Sequence, residues 1–158
     1  MTELVTNVDQ VVDEAATAAA KKAELRSKRE RILAAVLPHS LDATPNSSYI
    51  KGLLCTTLTI DNATAEALIV EYKRFMLIAA TVEHPCSPSA MIDEVWHLHV
   101  SEDSENYFGA FCGMLDRIVF HEPRRNSLID PKAAEYAENF KSVYESLFGG
   151  PMNPRFWQ

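Results

Sequence analysis

Three of the five histidines, one of the two tryptophans and several carboxylates fall in one part of the chain: Asp93-Glu94-Val95-Trp96-His97-Leu98-His99, followed by His121-Glu122-Pro123. Imidazole is the commonest protein metal ligand and the side chain that titrates nearest neutrality. His97, His99 and His121 are therefore a candidate divalent-metal set. Three imidazoles with an open position suit a catalytic zinc or non-haem iron ion better than a closed structural one. Asp93, Glu94 and Glu102 are candidate fourth ligands or partners for an imidazole N–H, and Glu94 and Glu102 are the candidate proton-handling groups. The competing reading is a buried hydrogen-bond network, in which histidine beside tryptophan at a helix junction satisfies orphan carbonyls.

The helical phase sets a condition on the metal reading. Two residues apart, His97 and His99 would share one face of a strand but point about 200° apart on a regular helix. Met91, Ile92, Val95 and Trp96 read as helix, with Ser87 as its cap and Pro88 at its first position. Both imidazoles reach one ion only if that helix ends or loosens near His97. Ser101, able to cap a further helix with Glu102 and Asp103 in its first turn, favours such a break. His121 would supply the third nitrogen from the next connection, after Ile118-Val119-Phe120.

The remaining elements also read as helices. Apolar residues at three- and four-residue spacing predict a helix over 8–36, ended by Pro38. Its stripe is thin (Val8, Val11, Val12, Ala15, Ala16, Ala19), so its first half projects, meets a partner helix or frays. Residues 38–48 read as a loop and 49–58 as either helix or strand. Asp61 is a good cap for a helix over 62–80. Tyr107, Phe108, Phe111, Cys112 and Leu115 form the face of the helix after Ser101. Asp130-Pro131 begins a helix that runs to 148 and stops at Gly149-Gly150-Pro151. The class is mainly α: one compact helical domain with a long N-terminal helix (1–37), a core (38–150) and an aromatic tail (151–158).

Apolar residues make up 47% and charged residues 23%, ordinary for a globular chain of 158 residues and enough for a real core. Nothing resembles a secretory signal or a membrane span, which predicts a cytoplasmic protein with no membrane partner. The net charge of −7 is uneven. Residues 1–20 carry four acids and no base; residues 21–31 carry six bases and two acids. An acidic body argues against broad nucleic-acid binding, although Arg26, Lys28 and Arg29 could touch an anionic partner. The three cysteines include no Cys-x-x-Cys, so buried thiols are expected; Cys112 stands out for lying between His99 and His121. No nucleophile elbow, phosphate-cradling glycine loop or His-Glu-x-x-His occurs. His39 and His84 each adjoin a proline and are expected at the surface.

Several of these motifs occur together in one known family. Glu71-Tyr72-Lys73-Arg74-Phe75, Ser87-Pro88-Ser89, Ile92 to His99, Tyr107, Phe111-Cys112 and His121-Glu122-Pro123 resemble, in that order, the glycine-rich domain-containing-protein-like family. The likeness covers residues 68–123. It implies a compact helical domain in which Asp93, Trp96, Tyr107, Cys112 and Pro123 are structural and the tryptophan and histidines sit together. It implies no known activity. Members often carry a doubled histidine where Phe120-His121 stands here, and the glycine-rich tail of the plant members is missing.

Two functions follow as expectations. The first is a non-catalytic interaction or assembly module built around the His/Trp motif and a metal site. It would contact a protein partner or a second copy through Arg26, Lys28 and Arg29 of the N-terminal helix and through Phe156 and Trp157 of the tail, which is too aromatic for a solvated end and is expected to pack on the body or on a neighbour. The second is a zinc or non-haem iron enzyme, chiefly a hydrolase, using His97, His99 and His121. One divalent metal is the sole cofactor in either case.

Overall fold

A computed structural model describes residues 3–42, 49–121 and 130–158, with side chains from residue 11 onward. Pro123 lies outside the described residues. Within them the chain forms six α-helices and no strand: α1 (Glu3–Val36), α2 (Tyr49–Leu58), α3 (Asn62–Thr81), α4 (Ala90–Glu102), α5 (Cys112–Leu115) and α6 (Ala133–Phe148). A π-helical turn, Asn106–Phe111, leads into α5.

The sequence signals for starts and stops are used in two ways. Asp61 caps α3 as expected, its carboxylate accepting the Thr64 N–H at 2.7 Å. Gly149 closes α6 in the left-handed region, at φ 72°. The start of α4 needs correction. Ser89, not Ser87, is its cap, accepting the Ile92 N–H at 3.3 Å and donating to the Phe156 carbonyl. Its end needs correction too. The helix runs unbroken through His97 and His99, and Ser101 lies inside it. Asp103 makes the break: its carboxylate accepts the Asn106 N–H at 3.1 Å and its carbonyl the Tyr107 N–H at 3.0 Å.

Helix α3 is the centre. It packs against α1, α2, α4, α5 and α6, burying Leu68, Tyr72, Phe75, Met76, Leu77 and Ile78 completely. Burial on so many sides carries polar residues inward as well, and a buried polar group is costly unless bonded. Glu71 takes both the Tyr144 hydroxyl (2.8 Å to Oε2) and the Trp157 indole N–H (2.8 Å), and pairs with Arg74 at 2.8 Å. Lys73 donates to the carbonyls of Leu37 and His39, at 2.7 and 2.6 Å, where Pro38 has ended α1 and left them without helical donors. Burial lowers the Lys73 pKa to about 8.

The aromatic tail is part of this core. Phe156 is buried, and the Trp157 ring lies 5.2 Å from Phe140 and 6.3 Å from Phe75, centroid to centroid. Packing on the body, one of the two placements expected of the tail, is thus what the structure shows, with Phe156 buried and Trp157 half-buried. Lys28 and Arg29 are also engaged internally, with Asp116 at 3.1 Å and the Thr81 hydroxyl at 2.9 Å, so they dock the second half of α1. Arg26 stays exposed beside Glu30. Among the described residues no single helix is long and apolar enough to cross a membrane; α2 and α3 together reach that length and composition but are bent by 107°.

Replacing Tyr144 by Phe removes one donor from buried Glu71 without changing the packing. The expected loss is about 1–3 kcal/mol in denaturant unfolding, and a variant as stable as wild type would mean that Glu71 is satisfied without that hydroxyl.

Candidate metal centre

Asp93 and His97 stand one turn apart on α4, so their side chains share a face. The segment that delivers His121 is held from both sides. Asp116 turns the chain in the left-handed region after α5 (φ 56°). Arg117 donates to the Val82 carbonyl at 3.2 Å. The Trp96 indole donates to the Tyr107 hydroxyl at 2.8 Å, and that hydroxyl donates in turn to the Val119 carbonyl. His121 thereby comes to rest edge-on to Trp96, with ring centroids 4.6 Å apart, and 4.2 Å from the ring of His97.

The Asp93 carboxylate lies between the two imidazoles. Its Oδ1 is 2.9 Å from His121 Nε2 and its Oδ2 is 3.6 Å from His97 Nε2. One ligand atom from each of Asp93, His97 and His121 lies within 4.8 Å of the others. Ligand atoms about 2.1 Å from one tetrahedral ion would be roughly 3.4 Å apart, so the longer spacings must contract and the 2.9 Å Asp93–His121 hydrogen bond must open. His97 keeps 55% of its side chain exposed, whereas His121 keeps 14%. A His/Asp cluster that could hold a metal ion is therefore present.

The cluster opens on a cleft of about 630 Å³ between the α3–α4 connection, the start of α4 and residues 117–121. Glu83, His84, Arg117 and Phe120 also line it. His84 is not a free surface residue. It stacks on Tyr136, with ring centroids 4.9 Å apart, and accepts a hydrogen bond from the Asn139 amide. Cys86 lines the same cleft, and burial pushes its thiol up to about 11, away from nucleophilic use.

His99 does not join this cluster, which corrects its assignment as a ligand. Because α4 stays regular, His99 points to the opposite side, into the core, where it is fully buried. Its Nδ1 lies 3.0 Å from the Tyr72 hydroxyl and its Nε2 3.2 Å from Asn106 Oδ1. Both ring nitrogens are thus occupied by a neutral imidazole that accepts at Nδ1 and donates at Nε2. His39 reaches the same amide oxygen at 3.1 Å and is half-buried rather than at the surface. The hydrogen-bond reading holds for His99, while the metal geometry gathers at Asp93, His97 and His121.

The other candidates lie apart from the cluster. Glu102 accepts from the Tyr49 hydroxyl at 3.3 Å, roughly 13 Å along α4 from Asp93 at 1.5 Å per residue. Glu94 sits next to Asp93 but outside the convergent group. Cys112 is buried, and burial raises its pKa. Asn106, Arg117 and Val119, which shape the site, carry no spacing signal; Asp93 did carry one, in its four-residue separation from His97.

Fold and site together define a helical domain with a candidate two-histidine, one-carboxylate metal centre. No family model, no curated protein and no solved structure matches the chain.

Burial, opposed in part by the Asn106 hydrogen bond, holds the His99 pKa at about 4, below its ordinary 6.5. The unfolded chain therefore binds the extra proton first as pH falls. The stability tied to neutral His99 is complete above about pH 6.5 and is lost as pH drops toward 4, by up to about 3 kcal/mol. Unfolding of wild type and His99→Gln across this range should show a shallower slope in the variant; equal slopes would contradict the assignment.

Proposed function

We propose that the protein is a metal-dependent enzyme of the hydrolase type, with one divalent ion held by Asp93, His97 and His121. The observation that carries this reading is the convergence of these ligand atoms within 4.8 Å at the wall of a cleft of about 630 Å³. Two imidazoles and one carboxylate suit zinc or non-haem iron and leave positions free for a substrate or water. A closed structural site would have no free position and no cleft. When bound, such an ion supplies Lewis acidity toward a polarised oxygen.

The residues of the chain have separable tasks in this reading. Asp93 supplies the anionic ligand and neutralises part of the ion's charge. Trp96, packed against His121, keeps that ring from turning. Glu83 is the carboxylate that the cleft offers for proton transfer, in place of remote Glu102. Arg117 and Phe120 give the cleft a cationic and an apolar wall.

Metal analysis of tag-free protein tests the reading. About one equivalent of zinc or iron is expected, with at least a hundredfold weaker binding in Asp93→Ala and in His121→Ala, and unchanged affinity in His99→Gln. Less than about a tenth of an equivalent after zinc loading would end the proposal. Turnover of activated esters or phosphoesters by the loaded protein should vanish in His121→Ala. Stoichiometric metal without turnover would return the ion to a structural role.

A further inference from the structure

Among the described residues, positions 11–20 of α1 have no partner in the fold, and their pattern specifies one. The docked half of the helix presents Leu25, Arg29, Ile32 and Val36 to the body. The same alternation of three and four residues continues backward through Lys22, Ala18, Ala15 and Val11, beyond the edge of the body. Residues 11–20 are all exposed; Val11 and Val12 stand 58% and 61% open to solvent. A face that is buried along half a helix and then runs on unpartnered extends an existing packing surface. It is long enough for a second helix, because residues 11–25 span about 22 Å.

Charge identifies the occupant. Asp13 and Glu14 lie N-terminal to the middle of this stretch, and Lys21 and Lys22 lie C-terminal to it. Two such helices side by side in parallel would set acid against acid and base against base. Antiparallel, they bring the acidic pair of each helix alongside the basic pair of the other. Placing Ala15 opposite Ala18 of a second copy puts Val11 over the aliphatic stem of Lys22 and Glu14 within reach of Lys21. The whole set is then repeated by symmetry. The alanines let the two backbones approach closely, and the antiparallel arrangement keeps the two bodies at opposite ends. We infer that α1 pairs antiparallel with α1 of a second copy through Val11, Ala15, Ala18 and Lys22, flanked by reciprocal Glu14–Lys21 ion pairs. This does not depend on the metal centre.

Sedimentation equilibrium of the full chain over a concentration series tests it. The mass should rise from 17.7 kDa toward twice that value. Glu14→Lys, an exposed change that leaves the fold intact by circular dichroism, should weaken the dimer by about tenfold or more. Adding Lys21→Glu to the same chain should restore it to within about threefold. A chain that stays monomeric up to about 1 mM would overturn the inference and leave the face to another protein or an anionic surface. A dimer indifferent to both substitutions would also overturn it, because its interface would lie elsewhere.

Discussion

Three consecutive buried polar residues on α3 constrain everything packed around them. Glu71, Tyr72 and Lys73 are each 5% exposed or less. Successive helical residues point about 100° apart, so the three look in three directions, and each is costly to bury unless met. Glu71 is met by α6 and the C-terminal segment, Tyr72 by His99 of α4, and Lys73 by the carbonyls that end α1. Apolar packing alone would tolerate a helix sliding or rotating by a few degrees. Directional bonds at three successive positions do not.

The cleft inherits its chemistry from this constraint. The bond between Tyr72 and His99 fixes the rotation of α4 about its axis. With His99 turned inward, helical geometry turns Asp93 and His97 outward. The buried histidine is thus the positional counterpart of the exposed pair. The Trp96–Tyr107–Val119 chain then completes the group by bringing His121 in from another part of the chain. Binding an ion would require the exposed His97 imidazole to move inward and the Asp93–His121 hydrogen bond to open.

The fold class was legible because apolar spacing and capping chemistry are local. The Asp61 cap, the Pro38 stop and the Gly149 close all follow from single residues whose preferences nothing in the tertiary structure opposes. The end of α4 was not legible, because Ser101 and Asp103 offer similar caps within three residues and the chain uses Asp103. Choosing Ser101 implied a broken helix and a third imidazole on the ion; choosing Asp103 separates His99 from the others. The site was half legible for the same reason. His97 and His121 stand out by type, but their union with Asp93 depends on where residues 117–121 return. That return is set by the long-range bonds of Tyr107 and Arg117, which sequence spacing does not encode. The tail's aromatic character pointed to contact without saying with what.

The partners of Glu71 have a consequence for how the molecule is assembled. Tyr144 and Trp157 lie 73 and 86 residues further along the chain. Helices α1 to α4 can collapse early through nearer contacts. Until α6 and the tail arrive, however, α3 must leave the Glu71 side open to water or strand an acid in its core. Docking α6 and the tail onto α3 therefore closes long loops, at a greater entropy cost than the nearer contacts. The side of α3 that waits longest is the one most exposed to wrong association meanwhile, and a carboxylate there keeps that waiting surface hydrated and unattractive to other chains.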